Sequence, residues 1–120
     1  MYVQSFKDLV VWQRAMELVV EIYTVTKQLP QQEQYGLISQ MRRSAVSIPS
    51  NIAEGKRRKT KSDFLHFLRI ADGSAAELET QLLIVQRLYS SIDTKRAESL
   101  LIEVQKMLIV ILKKLEASES

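Results

Sequence analysis

Apolar residues recur along the chain at intervals of three and four positions, which is the period of an α-helix. The pattern breaks near Pro30, after Gly55 and at the run SSID over 90–93, and no strand-like alternation is sustained. It predicts helices over about 6–29, 32–54, 61–90 and 93–117. Because the connections are short, consecutive helices must run antiparallel. The sequence therefore predicts an all-α fold, an antiparallel up-and-down four-helix bundle in one domain over 1–120.

The first helix has two apolar stripes, although a helix needs only one to reach the core of a bundle. One stripe contains Leu9, Trp12, Met16, Val19 and Tyr23, and the other contains Val11, Ala15, Leu18, Ile22, Val25 and Leu29. The additional stripe predicts contact with a second subunit, and we assign Val11, Leu18, Ile22 and Val25 to that oligomer interface. The alternative is a helix that its own bundle encloses more fully than usual.

The second helix contains a proline, yet its apolar residues stay in phase on both sides of it. Pro49 removes one backbone donor, so we predict a helix that is kinked there but continuous. Glycine suits the left-handed conformation that caps the C-terminus of a helix, so we predict that Gly55 caps this one. Asn51 and Glu54 are three residues apart and share a face, and we interpret them as polar residues that fix the register of the helices. A catalytic role for Glu54 would need a partner acid or base, which the sequence does not indicate.

The starts of the last two helices carry capping residues. Thr60 or Ser62 can cap the third helix, and Asp63 suits the positive end of its dipole. Asp93 can cap the fourth helix. The small residues of GSAA, 73–76, predict a close approach by a neighbouring helix.

Positive charge is concentrated in one short segment. The net charge is +3, and Lys56, Arg57, Arg58, Lys59 and Lys61 supply five of the 17 basic residues, so the rest of the chain has a net charge of −2. Such a cluster can bind phosphates without reading a base sequence. The alternative is a solvated turn between two helices. The spacing excludes a Walker loop, because EGKRRKT has a single glycine.

Two further arginines, Arg42 and Arg43, lie in the second helix. Arginine suits bidentate contacts with carboxylate or phosphate. Ion pairs within the bundle or across an interface are one interpretation, with Glu54, Glu77 or Glu79 as partners, and direct phosphate contact is the other. Aromatic side chains could stack on bases, but most fall on the helical stripes, which favours packing. These are Trp12, Tyr23, Tyr35, Phe64, Phe67 and Tyr89.

The sequence argues against several kinds of chemistry. Without cysteine there is no thiolate metal site and no cysteine nucleophile. Asp63 and His66 have the spacing of a carboxylate–histidine pair, but one histidine in total excludes a di-iron centre in each chain. We therefore expect no enzyme activity, no metal and no cofactor. With no signal-like start and no apolar run of about 20 residues, we expect a cytoplasmic protein with no membrane partner.

Three stretches resemble the bacterial family called four helix bundle protein, or 23S rRNA-intervening-sequence protein. They are FKDLVVWQRAMELVVEIYTVT, LPQQEQYGLISQMRRSAVSIPSNIAEGKRR and FLHFLRIADGSAAELETQL. The resemblance implies a bundle that assembles as a homo-oligomer, often a ring of five. It also implies kinship to the accessory protein of diversity-generating retroelements, a basic pentamer that binds a reverse transcriptase and nucleic acid. It does not imply an established biochemical activity.

Two functions are compatible with these observations. The first is a non-enzymatic homo-oligomer that binds nucleic acid, RNA or DNA with RNA favoured, through the basic segment. In a ring of five copies that segment would supply about 25 cations, and multivalency would raise the avidity. The second is a scaffold that presents the segment to an acidic protein partner.

Overall fold

The computed structural model describes residues 5–119 and contains four α-helices that form an antiparallel, up-and-down bundle. The helices are α1 (Val10–Thr26), α2 (Ser39–Lys56), α3 (Lys61–Leu88) and α4 (Lys95–Glu119). Each helix packs against its two neighbours, with α1 between α2 and α4, and α3 also between α2 and α4. The predicted fold class is confirmed. None of the helices within 5–119 is long and apolar enough to cross a bilayer.

The first helix is shorter than predicted, because the residues before Val10 and after Thr26 take other conformations. Phe6–Asp8 form a 3-10 turn whose start is closed by a capping box between Ser5 and Asp8. Leu9 is extended and separates that turn from α1. At the other end the Thr26 hydroxyl donates a hydrogen bond to the Ile22 carbonyl at 2.8 Å.

The connection from α1 to α2 is also more varied than the predicted helix over 32–54. A 3-10 turn (Gln31–Glu33) leads into a π-helical turn (Gln34–Ile38) that contains the non-helical Gly36, at φ −111° and ψ −110°. Regular α-helix begins only at Ser39. The Tyr89 hydroxyl donates a 2.5 Å hydrogen bond to a Glu33 carboxylate oxygen, which ties this connection to the end of α3.

The core lies between the four helices, and it overturns one prediction. Val11, Leu18, Ile22 and Val25 are at most 3% exposed and belong to the core of their own chain. Their assignment to an oligomer interface is therefore wrong. The stripe that reaches the surface is the other one, on which Met16 and Tyr23 are 42% and 37% exposed. Both stripes have the same period, so spacing alone did not separate them.

The second helix runs without a break through the buried Pro49, so its predicted continuity is confirmed and the kink there stays a prediction. The predicted role of Gly55 is wrong, because α2 continues through it and no residue in the described part has a positive φ. A Cβ atom at Gly55 would lie 2.9 Å from Cβ of Phe67 and 3.0 Å from Cδ1 of Phe64. Glycine is needed here for the close approach of α2 to α3.

The run of small residues over 73–76 in α3 was predicted to let a neighbouring helix approach closely. No helix does so at Gly73, since nothing lies within 4 Å of a Cβ atom built there. Its neighbours Ser74 and Ala75 are buried. The start of α4 differs by one residue from the prediction, because Thr94, whose carbonyl accepts from the Glu98 amide at 2.9 Å, occupies the N-cap position. Asp93 precedes it and accepts a hydrogen bond from the Lys95 amide at 3.0 Å.

Candidate nucleic-acid interface

The basic segment, Lys56–Lys61, is a short ordered turn that joins α2 to α3. The amides of Arg57 and Arg58 donate to the carbonyls of Ala53 and Gly55 at 3.2 and 3.1 Å, which closes the end of α2. Thr60 is extended, and its hydroxyl accepts a hydrogen bond from the Asp63 amide at 3.1 Å, so it is the predicted cap of α3. Only four residues separate the two helices. The segment therefore holds its cations close together.

Three of its five cations already have partners within the chain. The Arg58 guanidinium pairs with the Glu54 carboxylate at 2.8 Å and lies 4.8 Å from the centre of the Phe67 ring. Lys61 Nζ donates to the Ser118 hydroxyl at 2.9 Å. Lys56 is half-buried, with its Nζ 5.9 Å from the centre of the Phe64 ring. These contacts hold the three side chains against the bundle.

The other two cations, Arg57 and Lys59, are exposed. Neither makes a side-chain hydrogen bond, an ion pair or a ring contact with any residue in 5–119. A guanidinium and an ammonium in this state are free to meet an external anion. Within the basic segment they are the groups that a phosphate can reach without displacing an existing partner.

The last turns of α4 place two further lysines beside this turn. The Lys61–Ser118 hydrogen bond and a 2.9 Å ion pair between Arg69 and Glu116 place the end of α4 next to the start of α3. Lys113 and Lys114 lie on these turns and are exposed. Neither lysine is among the binding residues predicted from the sequence. Their signal was the pair KK near the end of the fourth helix, which antiparallel topology brings to this end of the bundle.

Arg42 and Arg43 are not brought to the basic segment. They lie about 20 Å away along α2, since fifteen residues at 1.5 Å each separate Arg42 from Arg57. Arg42 Nε donates to the Thr26 hydroxyl at 2.9 Å, and its guanidinium lies 4.3 Å from the centre of the Tyr23 ring. The structure therefore separates these two arginines from the basic segment, and a direct contact of Arg42 or Arg43 with phosphate stays a prediction.

Ion pairing of Arg42 and Arg43 with acids of their own chain is not observed among the described residues. Glu54 is paired with Arg58, and Glu79 accepts a hydrogen bond from Gln105 at 3.0 Å. Glu77 has no partner within 5–119. An ion pair across an interface stays a prediction.

Asn51 and Glu54 of α2 make contacts in two separate parts of the bundle. The Asn51 amide donates to the carbonyl and the hydroxyl of Ser47, at 2.8 and 2.9 Å, and that hydroxyl lies 2.8 Å from the Ser74 hydroxyl on α3. This chain of hydrogen bonds links α2 to α3, in keeping with a role in register. Glu54 instead belongs to the basic segment through Arg58.

The aromatic residues are divided between packing and exposure. Trp12, Phe64, Phe67 and Tyr89 are half-buried, whereas Tyr35 is 93% exposed and does not pack as expected. His66 is exposed, with its ring 5.2 Å from that of Phe67. In the part of the chain that the structure covers, no three His, Asp or Glu side chains are placed to hold a metal ion.

Comparison with known proteins places the bundle in a family. Residues 7–110 match the model of the 23S rRNA-intervening sequence proteins. The chain belongs to this family. The crystal structure of a protein of unknown function from the S23 ribosomal protein family of Bacteroides thetaiotaomicron is similar at a TM-score of 0.76 and 31% identity. That similarity covers 87% of this chain and 99% of the other. A comparison with curated proteins gives no match.

For a 23S rRNA-intervening sequence protein, the basic segment lies within the part that defines the family. The matched range includes Lys56–Lys61 and ends before Lys113 and Lys114. The resemblance found in the sequence is thus confirmed, since the match covers the three stretches that carried it except for Phe6.

Proposed function

We propose that this protein is a cytoplasmic, non-enzymatic homo-oligomer that binds nucleic acid, and preferentially RNA, through the basic segment. The observation that supports this most strongly is the state of Arg57 and Lys59. Both are exposed and have no partner within 5–119, and they lie on a four-residue turn in the segment that carries the chain's excess of positive charge. Cations held in this way can neutralise phosphates and release their counterions.

The proposed contact is with the phosphate backbone and carries little sequence specificity. Sequence is read by hydrogen bonds and apolar contacts to base edges, whereas contacts to phosphate only position the ligand. The aromatic rings nearest the turn, Phe64 and Phe67, lie beneath the side chains of Lys56 and Arg58. They are therefore not open platforms on which a base could stack.

A single copy would bind weakly, because this end of the bundle offers two free cations in the turn and two exposed lysines on the last turns of α4. Non-specific binding to nucleic acid typically has a Kd of about 10⁻⁴–10⁻⁶ M at physiological salt. Several linked copies make the later contacts intramolecular and raise the avidity without any new kind of contact. This is the physical reason for including the homo-oligomer in the proposal.

The test is a titration of fluorescently labelled single-stranded RNA from 23S rRNA, followed by anisotropy at low salt. We expect the double variant Arg57→Gln, Lys59→Gln to bind about tenfold more weakly than the wild type, because it loses two phosphate contacts in each copy. The matched control is Lys27→Gln, Lys95→Gln, which removes the same charge from exposed positions at the opposite end of the bundle. We expect this control to bind like the wild type.

Two results would overturn the proposal. One is the absence of wild-type binding at protein concentrations up to about 10⁻⁴ M. The other is an equal loss of affinity in the two double variants, which would show only an effect of total charge. Capture of an acidic protein that survives nuclease treatment, without RNA binding, would assign the scaffold role instead.

A further inference from the structure

One side of the bundle carries an exposed apolar stripe with an arginine within it. This α1–α2 stripe consists of Met16, Tyr23, Arg42 and Val46, and its three uncharged side chains are between 37% and 42% exposed. The Arg42 guanidinium lies on the Tyr23 ring, and its Nε is fixed by the Thr26 hydroxyl. The arginine is thus held in one orientation among apolar neighbours.

Arg42 is half-buried and has no carboxylate partner among residues 5–119. A guanidinium in partly apolar surroundings is stabilised by a planar acceptor that takes its remaining N–H donors. The bundle supplies a hydroxyl and a ring but no acid. The surface is therefore suited to a partner that brings one carboxylate and apolar side chains.

A second stripe on the same protein has that chemistry. This α3 stripe consists of Ile70, Glu77, Ile84 and Leu88, whose spacing places them on one face of the helix. Its apolar members are 39%, 39% and 63% exposed, and Glu77 is exposed with no partner in the described chain. The two stripes are complementary, each apolar and each with one charge of opposite sign.

The two charges also lie at nearly the same height along the bundle. The contact between the hydroxyls of Ser47 and Ser74 marks a common level on the antiparallel helices α2 and α3. Arg42 lies five residues from that level and Glu77 three residues, in the same direction along the bundle. At 1.5 Å per residue their heights differ by about 3 Å. Copies placed side by side with parallel axes can therefore bring the two charges together.

We propose that the α1–α2 stripe of one copy docks on the α3 stripe of the next, with an Arg42–Glu77 ion pair at the centre of the contact. Because the two stripes differ, the contact is head-to-tail, and a rotation between neighbours that closes on itself makes the assembly a ring. Parallel bundles then present every basic segment on one face of the assembly. The inference rests on the proposed function for its homo-oligomer, and it identifies the surfaces that form it.

The test is a charge exchange read by sedimentation velocity on the full chain at a fixed concentration. Arg42→Glu and Glu77→Arg should each weaken association by at least about tenfold, because each places like charges opposite one another. The double variant, and an equal mixture of the two single variants, should each recover the wild-type assembly. Arg43→Glu is the matched control, since Arg43 is exposed and lies beside Arg42 outside the stripe, and it should assemble like the wild type.

Glu77→Arg keeps the test decisive if Arg42→Glu fails to fold, because Glu77 is exposed and has no partner to lose in the described chain. Circular dichroism of each variant verifies the fold. A wild type that sediments as single chains overturns the proposal, as does a folded Glu77→Arg variant that assembles normally. Failure of the charge exchange to restore assembly excludes the Arg42–Glu77 contact. None of these changes alters the basic segment, so RNA binding by a single chain would overturn this inference and leave phosphate binding by the segment intact.

Discussion

Two glycines in this bundle have opposite surroundings, and the difference arises from tertiary packing. Gly55 and Gly73 both lie inside α-helices. A Cβ atom on Gly55 would meet Phe67 and Phe64 at 3.0 Å or less, whereas one on Gly73 would meet nothing within 4 Å. A glycine in the sequence marks a position of backbone freedom or of close approach. Only the neighbouring helix decides which of the two applies.

We predict opposite effects when each glycine is changed to alanine. Gly55→Ala gains helix propensity, but its added Cβ atom pushes the start of α3, with Phe64 and Phe67, away from α2. The substitution should therefore lower the free energy of unfolding by about 1 kcal/mol. Gly73→Ala has only the gain and should raise that free energy by about 0.5–1 kcal/mol. Urea denaturation of the two variants and the wild type measures both effects. A Gly55→Ala protein as stable as the Gly73→Ala protein would show that α2 and α3 are not in close contact there.

At the level of helices, the sequence predicted the number, order and direction of the elements, because a 3.6-residue apolar period sustained over several turns has no other common cause. Their ends were less predictable. Phe6–Asp8 and Gln34–Ile38 continue the apolar period but form 3-10 and π turns. Each turn spans only three to five residues, which is too few for its different number of residues per turn to show in the sequence. Nor could the period identify which stripe of α1 is buried, since both have the same spacing.

The candidate site was predictable only in part. Composition located the basic segment, and residue types indicated that Thr60 would end the turn. The present partners of Arg58 and Lys61 include Phe67 and Ser118, which lie on α3 and at the end of α4. Such contacts depend on how the helices pack. The sequence therefore could not show that Arg57 and Lys59 are the two free cations.

A hydrogen bond at the connection between α1 and α2 makes the free energy of unfolding vary with pH in the alkaline range. The hydrogen bond from the Tyr89 hydroxyl to Glu33, assisted by burial, raises the pKa of Tyr89 above its ordinary value of 10.0. The unfolded chain then loses this proton at lower pH than the folded chain. The stabilisation is complete below pH 10 and is lost as the pH rises above it.

We therefore expect Tyr89→Phe to be less stable than the wild type at pH 8, and the difference in Tm between them to narrow by pH 11. Thermal unfolding followed by circular dichroism at both pH values measures this. Tyr35→Phe is the control, because Tyr35 is 93% exposed and should unfold like the wild type at both values. A constant difference between Tyr89→Phe and the wild type would mean that the hydrogen bond to Glu33 contributes nothing to stability.

On the scale of the whole molecule, the proposed mechanism combines weak phosphate binding by one basic segment with its repetition in several assembled copies. The helices bring the basic segment and the last turns of α4 to one end of the bundle, and side-by-side assembly would place several such ends on one face. The family match supports the fold but assigns no ligand. Binding to nucleic acid therefore requires that Arg57 and Lys59, the cations that the structure leaves free in the basic segment, neutralise phosphates.

The salt dependence of RNA binding tests this claim most directly. Each phosphate neutralised on a single strand contributes about −0.7 to the slope of log K against log salt concentration. We predict that Arg57→Gln, Lys59→Gln makes the slope shallower by about 1.4 for each copy engaged, and that Lys27→Gln, Lys95→Gln leaves it unchanged. A slope that is the same for the wild type and the Arg57, Lys59 double variant would contradict the account, because the two free cations would then not be in contact with phosphate.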